Sequence, residues 1–242
     1  MRGLICLALA TIALSAMPAN AQDVSLSLGD TGSLTTRSVQ LFALITVLSL
    51  VPGIAIMVTS FPFIVTVLAI LRQAIGLQQS PPNMLMVSLA LFLTYFVMEP
   101  VFTAAYTDGV APLLAGEVEV EEAFARTMVP LRGFMTNRVD PQTFEDLAAL
   151  RSDVPLDIII KDAPLSVLIP SFMLSELERA FQVGFLVFLP FLIIDLVVAA
   201  VLMSMGMLMV PPAIVSLPFK LAFFVVADGW GLVAASLVRS YT

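Results

Sequence analysis

The stretch PFLIIDLVVAAVLMSMGMLMVPP, Pro190 to Pro212, decides how this chain folds. An apolar run stops at Gly206, where a glycine can take the left-handed conformation that ends a helix, and Pro211-Pro212 then set the first turn of a returning helix. The stretch therefore reads as the tip of a helical hairpin. A counterpart, PFIVTVLAILRQAIGLQQSPP, runs from Pro62 to Pro82 with the same Pro-Phe opening, the same Gly-x4-Pro-Pro ending and a length shorter by two residues. The pair suggests a weak internal repeat of two hairpins.

The linker at the hairpin tip is rich in methionine. Met203, Met205, Met207 and Met209 lie within the decapeptide MSMGMLMVPP. Methionine is unbranched and soft, so a ring of such side chains could close an opening without gripping what displaces it. Methionine is also ordinary filler in apolar helices, and the run alone leaves both readings open.

Composition sets the class. The chain is 60% hydrophobic with a mean hydropathy of +1.03, and its 12% of charged residues is about half the share usual in soluble domains, so it is read as membrane-associated. Residues 1–21 resemble a secretory leader, with Arg2, an apolar run from Leu4 to Leu14 and Ala19-Asn20-Ala21 as a small-x-small cleavage site, so that a mature chain would begin at Gln22. The chain has no histidine, and its one cysteine, Cys6, would leave with the leader. That argues against cysteine nucleophiles, disulfides, haem attachment and nearly all zinc sites. No phosphate-cradling glycine motif occurs, and at net charge −7 with scattered basic residues nucleic acid is not an expected partner. An enzyme is not expected, nor a cofactor or a metal.

The apolar segments are Val39 to Leu71, broken by Pro52-Gly53 and Pro62, then Met84 to Tyr106, Phe181 to Met203 and Ala213 to Val238. Between Asp108 and Asp162 stand eleven acidic residues against five basic ones, which marks a solvated acidic region. Asp140-Pro141 is a helix start, followed by Phe144, Leu147, Ala148 and Arg151 at helical spacing. Upstream, Phe124, Met128, Leu131 and Met135 share a face of a helix that Pro130 should kink. Expected boundaries are the leader 1–21, a polar segment 22–40, a first hairpin region 41–107, the acidic helical domain 108–163 and a second hairpin region 164–242. Phe134 and Phe144 read first as packing residues.

Four charges lie in or at the ends of these apolar segments: Glu99, Asp195, Lys220 and Asp228. Isolated charges in lipid cost several kcal/mol, so each must face protein, water or another charge. Pairing of Lys220 with Asp195 or Asp228 would act as structural glue, and a proton relay is the competing reading. Lys220 and Asp228 are eight residues apart on one expected helix, roughly 12 Å along its axis, and cannot pair as neighbours within it.

At these residues the chain resembles a known family. LRQAIGLQQSPPNMLMVSLALFLTYFVMEPV (Leu71 to Val101), LIPSFMLSELERAFQVGFLVFLPFLIIDLVVAAVLMSMGMLMVPP (Leu168 to Pro212) and SLPFKLAFFVVADGW (Ser216 to Trp230) are similar to the FliP family of flagellar biosynthesis proteins, and the likeness spans about Leu41 to Leu237. The resemblance implies an all-α, membrane-associated fold of helical hairpins with Gly/Pro-broken apolar helices, assembling into a helical channel and carrying a small helical external domain. It implies a core subunit of the flagellar type III export gate in the bacterial inner membrane, with the acidic domain periplasmic. Expected partners are further copies of the chain, FliQ and FliR, then FlhA and FlhB, and unfolded flagellar export substrates. The family's methionine constriction falls on Met207, Leu208 and Met209, with leucine as a departure at the centre. Glu176 and Phe134 correspond to residues near the channel interior; a second pore-facing aromatic corresponds to Leu147 by ungapped alignment, with Phe144 the nearest ring. Asp195 and Lys220 match charged positions linked to assembly or export. A small-solute or ion transporter built from two hairpin repeats is the reading from another class, and a purely structural membrane scaffold is a third.

Overall fold

A computed structural model describes residues 34–77, 80–155, 158–207 and 209–241. The leader with its cleavage site and the central gasket residue Leu208 lie outside the described residues. Those described form helices and turns with no strand, so the all-α expectation holds for them.

Two compact units divide near Val47 and Leu48. The first contributes the start of α1 (Leu34–Met57), whose 38–57 stretch is long and apolar enough to cross a membrane. The second holds everything that follows. There α2 (Phe61–Ile75) and α3 (Asn83–Ala105) form one hairpin, and α7 (Leu165–Ser204) with α8 (Pro212–Val226) forms the other. Between them lie a π-helical turn (Tyr106–Val110), the short α4 (Ala111–Leu114), α5 (Val120–Thr136) and α6 (Pro141–Ala149). The chain closes on α9 (Gly229–Arg239).

Local chemistry explains most of these limits. Gly76 at φ 88° ends α2 and Gly206 at φ 74° follows α7, both in the left-handed conformation the hairpin reading requires. After Gly206 the motif is complete: the Gly206 amide donates to the Met203 carbonyl at 3.0 Å and the Met207 amide to that of Leu202 at 3.0 Å. Pro82 and Pro211 stand at the N-caps of the returning helices. Asp140 caps α6, its carboxylate accepting from the Thr143 amide at 2.9 Å.

The structure corrects three expectations. The first apolar run breaks at Val58 to Ser60, while α1 continues through Pro52-Gly53. Pro62 opens α2 as expected, but its counterpart Pro190 sits inside α7, which runs 40 residues and also passes Pro170. A proline removes one backbone donor, and so long a helix retains hydrogen bonds on either side of the gap. Helix α5 contains Pro130 in its interior, the position at which a kink is expected. Lastly, Lys220 and Asp228 are not on one helix, because α8 ends at Val226 and α9 departs at 63°.

Two apolar clusters hold the second unit. One joins α2, α3, α7, α8 and α9 through Phe63, Ile64, Leu68, Leu71, Phe191 and Leu237. Gly184 permits the close α2–α7 contact, since a Cβ there would stand 2.3 Å from Ile70 Cδ1. The other cluster joins α5, α6 and the start of α7 through Met135, Val139, Phe144, Ala148, Leu168 and Phe172. Gly109 lets the π turn lie on α5, as a Cβ would come 2.7 Å from the Ala123 carbonyl oxygen. The 83–114 and 165–204 segments are also long and apolar enough to span a bilayer, and α8 with α9 would make a bent fourth.

Candidate functional site

The Met-rich linker stands at the tip of the α7–α8 hairpin. Its methionines are not core filler within the chain: Met205 is 64% exposed, Met207 39% and Met209 95%. The turn itself is fixed by Gly206 and by the two hydrogen bonds that close α7. A closed helix end thus leads into soft, exposed side chains.

One layer away, charged groups fasten the same hairpin to its neighbour. Asp195 on α7 accepts from the Lys220 ammonium at 2.6 Å and from the Ser216 hydroxyl at 2.5 Å, both from α8. Lys220 also donates to the Ala74 carbonyl at 3.1 Å, in the last turn of α2. That carbonyl belongs to the negative end of a helix, where a cation is favoured. Lys220 is buried and Ser216 fully so, whereas the Asp195 side chain keeps about a third of its exposure. Lys220 pairs with Asp195 rather than with Asp228, and three helices meet at one ammonium. Ser216 and Ala74 carry no sequence signal that would have joined them to this group.

A second polar knot surrounds Glu176 on α7, which is fully buried. Arg138, just after α5, donates its Nε–H to Oε1 at 2.8 Å, and Arg179 stands 3.5 Å from the same oxygen. The Tyr241 hydroxyl donates to Oε2. Arg138 also donates to the Ser240 carbonyl at 2.7 Å and lies 4.1 Å above the centre of the Tyr241 ring. Phe134 stacks on that ring at 5.9 Å and meets Phe172 edge-on at 5.7 Å. Burial, and then the charge of Glu176, push the Tyr241 phenol far above its ordinary range. Every oxygen of the buried carboxylate has a donor, as its burial requires. Phe134 and Glu176 are therefore brought together around Tyr241, while Phe144 is buried and Leu147 partly buried in the neighbouring cluster. Arg138 and Tyr241 were not singled out from the sequence.

The remaining charges lie apart. Glu99 is exposed on α3 between Tyr95, Phe96 and Phe102, themselves exposed. Asp228 is exposed at the α8–α9 break, at φ 48°, and makes no side-chain cap. Among the described residues no cluster of acidic side chains is placed to hold a metal ion.

Broken apolar hairpins, charges neutralised between helices and an uncovered methionine tip define an all-α, membrane-associated protein. Comparison with known proteins agrees on one family. The FliP family model matches residues 44–237. The flagellar biosynthetic protein FliP of Caulobacter vibrioides is 54% identical over 99% of this chain and 91% of its own length. Those of Agrobacterium fabrum and Bacillus subtilis are 48% and 44% identical, over 96% and 85% of this chain and 98% and 93% of theirs. The chain belongs to the FliP family.

Proposed function

We propose that this chain is a channel-forming subunit of the flagellar protein-export gate, needed for flagellum assembly. Copies of it, with FliQ and FliR, surround a path through which unfolded flagellar proteins leave the cytoplasm, next to FlhA and FlhB in the inner membrane. The acidic region 108–163 stands on the periplasmic side.

The observation that carries this reading is the exposed methionine tip of the α7–α8 hairpin. Met209 is almost uncovered in its own chain and Met207 is exposed over 39% of its surface, and around an axis of several copies they would meet as a compliant seal, with Leu208 next to both in sequence. The names of the relatives, flagellar biosynthetic proteins, agree with it. A small-solute carrier would need an uncommitted carboxylate in the hairpin core, whereas Asp195 is already bonded to Ser216 and Lys220. The Lys220 group holds hairpins together for assembly. Phe134 and Glu176 approach the channel interior in the assembled gate, with Phe144 or Leu147 behind them.

The test replaces Met207, Leu208 and Met209 together by alanine. A seal predicts normal complex yield with a raised leak of ions and small solutes through the closed particle. Normal yield without leak removes the seal. Loss of the complex itself would return these side chains to a packing role, in which each truncation costs roughly 2 to 5 kcal/mol.

A further inference from the structure

In the single chain the Tyr241 hydroxyl, two residues beyond α9, closes on the buried Glu176. We propose that α9 is a strap, hinged at Asp228-Gly229, whose terminal latch, Tyr241, closes on Glu176 in the unassembled chain and lifts away when copies of the chain assemble. The proposal rests on the reading of the chain as a self-assembling channel subunit.

Three observations support it. The hinge is a built break: α9 leaves α8 at 63°, and Asp228, at φ 48° and ψ 49°, is the one non-glycine residue at positive φ among those described. Aspartate is one of the few non-glycine residues that adopt the left-handed conformation, and Gly229 is required beside it because a Cβ there would lie 2.1 Å from the Phe224 ring. The strap itself is lightly held. Of its eleven residues only Gly229 and Leu237 are buried, Trp230 and Leu232 are exposed, and an apolar cavity of about 250 Å³ remains against Val67, Val187 and Phe191. An unfilled space of that size forfeits the contacts that close packing would supply.

The fastening is concentrated instead at the far end. Arg138 takes the Ser240 carbonyl, Phe63 and Phe134 hold the Tyr241 ring, and the phenol closes on Glu176. This latch can open without stranding a charge. When Tyr241 withdraws, Glu176 retains Arg138 and Arg179, so the buried carboxylate loses one neutral donor and keeps both cations. Lifting the strap would withdraw Tyr241 from Glu176 on the face where the proposed channel interior forms.

The strap can be pinned without touching the latch. Phe96 of α3 and Val238 of α9 line one shallow apolar depression, so a Cys6→Ser, Phe96→Cys, Val238→Cys chain can be bridged by a short, reducible bifunctional thiosulfonate. The bridge is introduced in the detergent-extracted monomer, and oligomer formation is followed by light scattering after size exclusion. A lifting strap predicts that the bridged chain stays monomeric and that reductant restores assembly. Assembly of the bridged chain to the level of the unbridged one overturns the strap alone. A wild-type chain that never leaves the monomer, even when FliQ and FliR are co-produced, overturns the channel-subunit reading and the strap with it. If the unbridged variant fails to assemble, amide hydrogen exchange on the wild-type protein decides. Faster exchange at Ser240 and Tyr241 in the assembled particle than in the monomer supports lifting, and equal or slower exchange overturns it.

Discussion

At the scale of single residues, Lys220 has the clearest energetic signature. It neutralises Asp195, satisfies the Ala74 carbonyl and is itself buried, so Lys220→Ala removes two hydrogen bonds and leaves a carboxylate with only Ser216 as donor. Breaking a buried ion pair costs about 3 to 5 kcal/mol, and the residual solvent contact of Asp195 places this pair at the lower end. Lys220→Ala is therefore expected to lower Tm and complex yield together, while Lys220→Met with Asp195→Leu recovers much of the loss, because no charge is then left alone. Thermal unfolding of the detergent-extracted chain checks both. An unchanged Tm in the single variant would show that the pair contributes nothing to stability. Half of this site was legible in the sequence: a lysine and an aspartate in apolar runs must find partners. Ser216 and the end of α2 were not, since a hydroxyl and a backbone carbonyl look the same in every apolar helix.

At the scale of elements, the sequence revealed what is decided within one turn. Gly76 and Gly206 stop helices because their own backbones reach positive φ, and Asp140 starts α6 with its own carboxylate. Prolines were less informative. Pro62 opens a helix and Pro190, in the same Pro-Phe pair, is absorbed into one, because the outcome depends on the packing of the preceding turns. The Asp140 cap also sets a pH dependence. The Thr143 amide and hydroxyl hold the Asp140 carboxyl below its ordinary value of 3.8, so the unfolded chain takes up this proton first. The stabilisation is then fully present above that value and disappears as pH falls through the lowered one. Asp140→Ala is expected to lower Tm at neutral pH, with a deficit that narrows below about pH 4. A deficit that does not vary with pH would assign the loss to packing instead of the ionised cap.

At the scale of the whole molecule, long-range contacts separate what the sequence showed from what it hid. Glu176 could be marked only through family resemblance, because its partners Arg138 and Tyr241 lie 38 and 65 residues away and no local pattern joins them. The same holds for the end of the chain, which the sequence presents as the tail of a fourth apolar segment and the fold turns into a tether on the acidic region. If that region is periplasmic, cysteines introduced at the exposed Glu121 and Glu145 should react with an impermeant thiol reagent once the outer membrane is permeabilised. Labelling that needs lysis of the inner membrane would reverse the topology. The exposed stripe of α3 around Glu99 fits the same picture, since an unpaired carboxylate among aromatic side chains is tolerable only beside water or a protein neighbour.

The uncovered hairpin tip has a chemical consequence as well as a mechanical one. Met203, Met205, Met207 and Met209 are four accessible thioethers close together on that tip. Addition of one oxygen to such a sulfur gives a sulfoxide, which is polar, chiral and a strong hydrogen-bond acceptor. Oxidant would turn this apolar tip into one that attracts water, and enzymatic reduction of the sulfoxides would restore it. The thioether chemistry that makes these side chains soft also leaves them open to oxidation.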